Sequence, residues 1–490
     1  MLNPILVKEL RSALRGRYFR ILFPFTLLSA TVIAVLVLVD RSGFRSDTLG
    51  RDLFQAMYAC LLFAVTGLVP FSAFLSMGNE WDEHTYDLLV LSRLRPLQIA
   101  LGKLLSAGIE GLLYFSAFTP LLVFAFLLRG IDITSIVLLL VGAWVASAST
   151  SAVALALSSL SRLRIVRVVL MALLAAILFG ANIGANAFVD DYLRSPSPMD
   201  TVEDWQTLIL TLSLMGLPGL LALAVASSRL AHAEENASTA PRVLMTGLLV
   251  FLLGMAVWAH AGSPSRHGPF VMGLLLLMGV ALCDLFFVTE RESLSRRVRL
   301  LVPQGRVRAL LAAPFLPGGG RGVLLFFLHV VLILAAVAIQ CVGWGTGGGR
   351  TTGEFTSVGV FAAYVVVYLG LPMLVGSRWT DDPRMRLLLR VLIPVGTLLS
   401  VFVPALVGFL VDLPQWTRME HPLDPVWVAV ECGIDGYDAR ALGVAAVVVA
   451  GLVVLLSVPR VVRGLGEVRT AAGERDQRQR ALPAEASRAA

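Results

Sequence analysis

Residues 80–103 read EWDEHTYDLLVLSRLRPLQIALGK, and the chain on either side of them is solidly apolar, over 54–74 before and 104–128 after. Each flanking run matches the ~20 apolar residues that carry a helix across a bilayer, so the charged stretch reads as a surface connection between two membrane spans. The same alternation of apolar block and polar connection continues in both directions. Spans are predicted over 21–39, 54–74, 104–128, 133–160, 166–188 and 207–226, and six more begin near Val243, Phe270, Val323, Ser357, Leu387 and Ala441. With 57% hydrophobic and 15% charged residues, the chain reads as all-α, a polytopic transmembrane helical bundle of about twelve spans. A closed barrel is excluded, since barrel strands would alternate over segments of about ten residues.

Within 80–103, the polar side chains Glu80, Asp82, Glu83, His84 and Asp87 are set against Trp81, Leu88 and Leu91 at offsets of seven and three. On a helix that spacing is amphipathic, and such a helix lies on a cytoplasmic membrane surface rather than crossing the bilayer. Pro96 suits the first turn of the following helix, where its missing N–H costs nothing, and Gly102 and Lys103 lead into the next apolar run. A second interfacial helix is predicted before the first span: Ile5, Leu6, Leu10 and Leu14 form an apolar stripe against Lys8, Arg11, Arg15 and Arg17, with Glu9 among them. The run over 21–39 is too long for a signal-peptide core, so it is expected to remain as a span.

The polar segment 227–242 lacks apolar periodicity and reads as a cytoplasmic linker between a six-span unit, 1–226, and a second six-span bundle, 243–458. A basic stretch, TERESLSRRVRLLVPQGRVR over 289–308, followed by the turn PGGGRG at 317–322, holds the place in the second half that 80–103 holds in the first. That correspondence hints at a duplicated unit. The basic tail 459–490 is small and polar and is expected to be cytoplasmic and disordered. Most of the 40 Lys and Arg fall on one side when both termini are inside, as the positive-inside rule asks. The net charge of +7 then points to anionic lipid headgroups and not to nucleic acid.

Chemistry-bearing motifs narrow the function. No G-x-x-x-x-G-K-[ST] is present, Gly102-Lys103 lacking the upstream glycine, so ATP hydrolysis would need a partner. Cys60, Cys283, Cys341 and Cys432 stand singly and the six histidines have no ligand spacing, so neither metal nor cofactor is expected, and no catalytic constellation points to an enzyme. Charged and polar residues inside spans are functional candidates by default. Glu110 lies early in the third span, close enough to the surface to find Lys103 or water, and Asp284 lies late in the eighth. Gly180 and Gly184, with Asn182 and Asn186, give the fifth span a small-residue face suited to helix packing or to a polar path.

Two of these segments resemble bacterial ABC-2 type transporter permeases. NPILVKELRSALRGR before the first span is similar to the family's N-terminal interfacial helix. The island is similar to its segment after the second span, here Glu80, Thr85-Tyr86-Asp87-Leu88-Leu89, Ser92-Arg93-Leu94-Arg95-Pro96 and Gly102-Lys103. The charged Arg93 and Arg95 depart from that pattern, and the second half has no clear copy of either motif. The resemblance covers roughly 1–226. It implies a permease subunit of an exporter type in a bacterial inner membrane, driven by a separate cytoplasmic ABC ATPase, with Glu80, Asp82, Glu83, Asp87, Leu88, Pro96, Gly102 and Lys103 in the coupling segment. The second half would either complete a pseudo-dimer or accompany a subunit that forms a homodimer. A non-transport membrane scaffold and a secondary transporter are the alternatives.

Overall fold

The computed structural model describes residues 4–39, 49–83, 96–128, 130–160, 163–194, 199–230, 236, 238–262, 268–343, 350–411, 421–435 and 440–489. Among them every regular element is helical, and twelve helices are long and apolar enough to cross a membrane. The protein is a multi-pass helical membrane protein. It divides into two compact units, Met1–His232 and Ala233–Ala490, the division falling within the polar stretch 227–242.

The first unit comprises α1 (Pro4–Arg15), α2 (Arg17–Val39), α3 (Leu49–Asp82), α4 (Pro96–Leu127), α5 (Ile133–Ser159), α6 (Arg164–Arg194) and α7 (Val202–Arg229). Helix starts follow local chemistry. Asp132 caps α5 by accepting from the Ser135 N–H at 2.8 Å, Thr201 and Asp204 form a capping box at α7, and Pro96 opens α4. Helix α3 runs past the predicted end of its span, so Glu80, Trp81 and Asp82 form its last turn rather than the start of a surface helix. The extension holds because Trp81 packs on the core of the unit and Glu80 meets lysines from two other helices. Midway, Ala64–Leu68 widens into a π-helical turn. Pro70 has no N–H to return to the carbonyl of Thr66, and the widened turn absorbs that missing bond.

Helices α5 and α7 approach closely: a Cβ on Gly219 would lie 2.6 Å from Ser149 Cα. The small-residue packing face expected on the fifth span is therefore found on α5 instead, where Ser147, Ser149, Ser151 and Ala152 are buried. On α6 the buried residues are Leu174, Leu178, Asn182, Val189 and Leu193, along with Arg167. Gly180 and Gly184 lie on the opposite face, exposed and with open space around them.

The second unit comprises α8 (Thr239–Gly262), α9 (Gly268–Val288), α10 (Arg296–Leu301), α11 (Arg306–Ala312), α12 (Gly319–Gly343), α13 (Arg350–Gly376), α14 (Pro383–Leu410), α15 (Pro425–Val430) and α16 (Arg440–Ala489). The expectation of a disordered tail is corrected: the chain beyond Pro459 continues α16. Its Val468, Ala471 and Ala472 are buried with Val298 and Val302 of the basic stretch and Ala309 just after it. This spacing of three and four is the helical signature, carried by residues too small to stand out in composition. Buried arginines fasten the same region. Arg242 donates to the carbonyls of Pro314 (2.9 Å) and Leu316 (2.7 Å) and to Glu290 (2.7 Å), and Arg321 donates to Gly464 (2.9 Å) and Glu467 (3.2 Å). Around them the backbone is tight: a Cβ on Gly322 would lie 2.3 Å from the carbonyl oxygen of Phe287.

Candidate functional site

Helical spacing places two polar stripes face to face in the first unit. On α3, Ser72, Ser76 and Glu80 recur every four residues, with Asn79 beside them and Glu83 just past the helix end, and on α4 Lys103, Ser106, Glu110 and Tyr114 recur at three to four. Between them lies a cavity of ≈ 850 Å³, closed on other sides by Lys8, Glu9 and Ser12 of α1, Phe19 and Leu22 of α2, and Leu178 and Asn182 of α6. Helix α1, part of the stretch 80–103, and Glu110 and Asn182 of the spans thus converge on one space.

At the α1 end of this cavity stands a network of four charges. Lys103, 3% exposed, donates to Glu9 Oε1 at 2.8 Å and to Ser76 Oγ at 2.9 Å, and lies 3.7 Å from Glu80 Oε1. Ser76 passes the bond on to Glu9 Oε2 at 2.9 Å. Glu80 accepts from Lys8 at 2.7 Å. Partial burial pulls the Lys8 ammonium down, but the bond to Glu80 and the nearby charges of Glu9 and Glu83 outweigh it, so Lys8 titrates above the usual lysine range. Three helices are tied by these bonds, each charge facing an opposite one as burial demands.

Deeper along the same stripe, seven residues from Lys103, Glu110 accepts from Ser72 Oγ at 2.7 Å and forms no ion pair with any described residue. Of the two partners expected for it, Lys103 or water, Lys103 is taken up by Glu9, Ser76 and Glu80. Asn182 donates to Thr66 Oγ1 at 3.1 Å and to the Leu178 carbonyl at 2.9 Å. Asn186 donates to the Asn182 carbonyl at 2.8 Å and stands outside the cavity lining.

The remaining expected site residues separate. Glu80, expected in the coupling segment, is 6% exposed and internal to the network. Asp82 pairs with the buried Arg167 of α6. Glu83 is exposed, at the rim of the cavity. Gly102 is buried beside Lys103, Pro96 begins α4, and Arg11 is exposed; Asp87, Leu88 and the side chain of Arg15 lie outside the described residues. Sequence reasoning missed Ser72 and Ser76, although their i, i+4 spacing to Glu80 was available. In the second unit, Asp284 is not a lone charge: His329 bridges it, at 2.8 Å, to Thr246, also at 2.8 Å, with Asp284 and His329 fully buried. No group of three metal-ligating side chains occurs among the described residues. Comparison with family models, curated proteins and solved structures returned no match.

Proposed function

We propose that the chain is the membrane-spanning subunit of an ATP-binding-cassette exporter, driven by a separate cytoplasmic ATPase. The observation that carries this reading is the four-charge network. Helix α3 ends in it, α4 begins two turns before Lys103, α1 is tied to both, and residues 84–95 connect α3 to α4. A partner pressing on 84–95 would load Glu80 and Lys103, and through the helices that carry them the Ser72 and Glu110 wall of the cavity. The resemblance of 80–103 to the ABC-2 coupling segment supports the same assignment. The arginine and lysine bias supports a cytoplasmic position for both termini and for 84–95, and the resemblance alone suggests a bacterial inner membrane.

Purification from native membranes tests the reading, with an ATPase expected to accompany the chain. The discriminating variant is Glu83→Lys with Asp87→Lys. Asp82 is left alone because it holds Arg167, whereas Glu83 is exposed, so its reversal should cost the fold on the order of 0–1 kcal/mol. Loss of the ATPase from a monodisperse variant is the expected result. Unchanged association, or a native chain that brings no ATPase, would refute the assignment and favour a scaffold.

A further inference from the structure

We infer that the cavity of the first unit is a binding site for a hydrophobic organic cation, with Glu110 as its counter-charge. Glu110 is 5% exposed and lines the cavity; one oxygen takes the Ser72 hydroxyl at 2.7 Å, and no described Lys, Arg or His pairs with it. The nearest lysine on its own helix, Lys103, is about 10 Å away along the axis at 1.5 Å per residue, and is already held by Glu9, Ser76 and Glu80. An acidic side chain kept inside a membrane bundle without a described counter-ion is a functional-site candidate, and here a ligand can supply the cation.

The rest of the lining fits the same ligand. Its ionisable side chains are two ammoniums, Lys8 and Lys103, against four carboxylates, Glu9, Glu80, Glu83 and Glu110, so the space favours positive charge and repels anions. Phe19, Phe63, Phe71, Tyr114 and Phe179 add aromatic surface, which holds an organic cation by its faces as well as by apolar contact. The ≈ 850 Å³ volume is that of a small-molecule pocket. An inorganic ion is a poorer match, since one carboxylate and one hydroxyl fall short of the six or more oxygens a hard divalent cation takes.

As the class of molecule moved, this inference rests on the permease reading. As binding it does not, and it is measured without nucleotide or ATPase, so failure of either leaves the other standing. The full chain in phosphatidylglycerol nanodiscs is titrated with radiolabelled tetraphenylphosphonium, with tetraphenylborate, of the same shape and opposite charge, as competitor. The cation should bind and the borate should not displace it. Glu110→Gln should weaken binding roughly tenfold or more, ~1.4 kcal/mol, and Glu110→Asp should retain part of it. A photoactivatable aryldiazirine trimethylammonium gives a second measurement on the unmodified chain, independent of how the variants fold. Its label should map to α3 near Ser72, α4 near Glu110 or α6 near Asn182. The inference is overturned by no binding to the native chain, by equal displacement with tetraphenylborate, by unchanged affinity in a folded Glu110→Gln, or by label elsewhere. Displacement by added phosphatidylethanolamine would make this a lipid-headgroup site and overturn it too.

Discussion

Replacing Lys103 with Met tests whether the charge network holds the first unit together. The ammonium is 2% exposed and its partner Glu9 10% at the side chain, so water cannot take over when the charge is removed. Glu80 would keep Lys8, at 2.7 Å, but Glu9 would keep only the hydroxyl of Ser76. It becomes a buried carboxylate with no cation in hydrogen-bond contact, only the more distant charge of Lys8, and deleting one member of a buried pair costs about 3–5 kcal/mol. Lys103→Met combined with Glu9→Gln removes both charges, and should return to within about 1–2 kcal/mol of the native protein, because the cost of desolvating the two charges disappears together with their attraction. The two single variants and the double form a cycle, read by reversible unfolding in mixed micelles, with amide exchange over α1 reporting whether that helix detaches. A loss below about 1 kcal/mol for Lys103→Met, or a double variant as unstable as the sum of the singles, would show that Lys103 and Glu9 are not coupled.

Two further outcomes follow from close contacts. Gly219→Ala should lower the thermal stability of the first unit by about 1–3 kcal/mol, since its methyl would meet Ser149 backbone at 2.6 Å; Gly180→Ala, facing open space, should be neutral or slightly stabilising, and a scan in which the two behave alike would contradict the assigned faces. In the second unit, burial alone would raise Glu290, but Arg242, Ser238 and the Gly318 N–H together hold it below the usual glutamate range. Its contribution is therefore present above the ordinary pKa of about 4.3 and is lost as pH falls through the lower folded-state value. Glu290→Gln should destabilise the unit at neutral pH and flatten its acid limb; an unchanged acid limb would exclude this pair as its source.

The span pattern was legible because a bilayer imposes it: solid apolar blocks of bilayer length admit one reading, and all twelve helices lie where hydropathy put them. Helix starts marked by Pro96 were legible for a similar local reason. The charge pairings were not. Lys8 meets Glu80 across 72 residues and Lys103 meets Glu9 across 94, and periodicity relates only residues on the same helix. The order of the tail was hidden too, because Val468, Ala471 and Ala472 are small and become core only when α10 and α11 cover them.

Direction is the property that pattern alone leaves open. On a soluble surface, charged residues such as Glu9 and Glu80 face water. Inside a bilayer the outer surface is hydrocarbon, and the rule reverses: on α4 it is Leu105, Leu112, Val123 and Phe124 that are exposed, while Lys103, Ser106, Glu110 and Tyr114 are buried. The second unit follows the same inversion, with Leu275, Met278 and Leu282 outward on α9 and Asp284 fully buried against His329. A polar stripe on a span is thus a statement about its neighbours. Lys103, Glu110 and Tyr114, at offsets of seven and four, require a facing polar surface on another helix, and α3 meets that requirement with Ser72, Ser76 and Glu80. The stripes balance charge for charge at the α1 end and leave Glu110 over at the other, so the arrangement that binds the helices together also leaves one carboxylate available to a ligand.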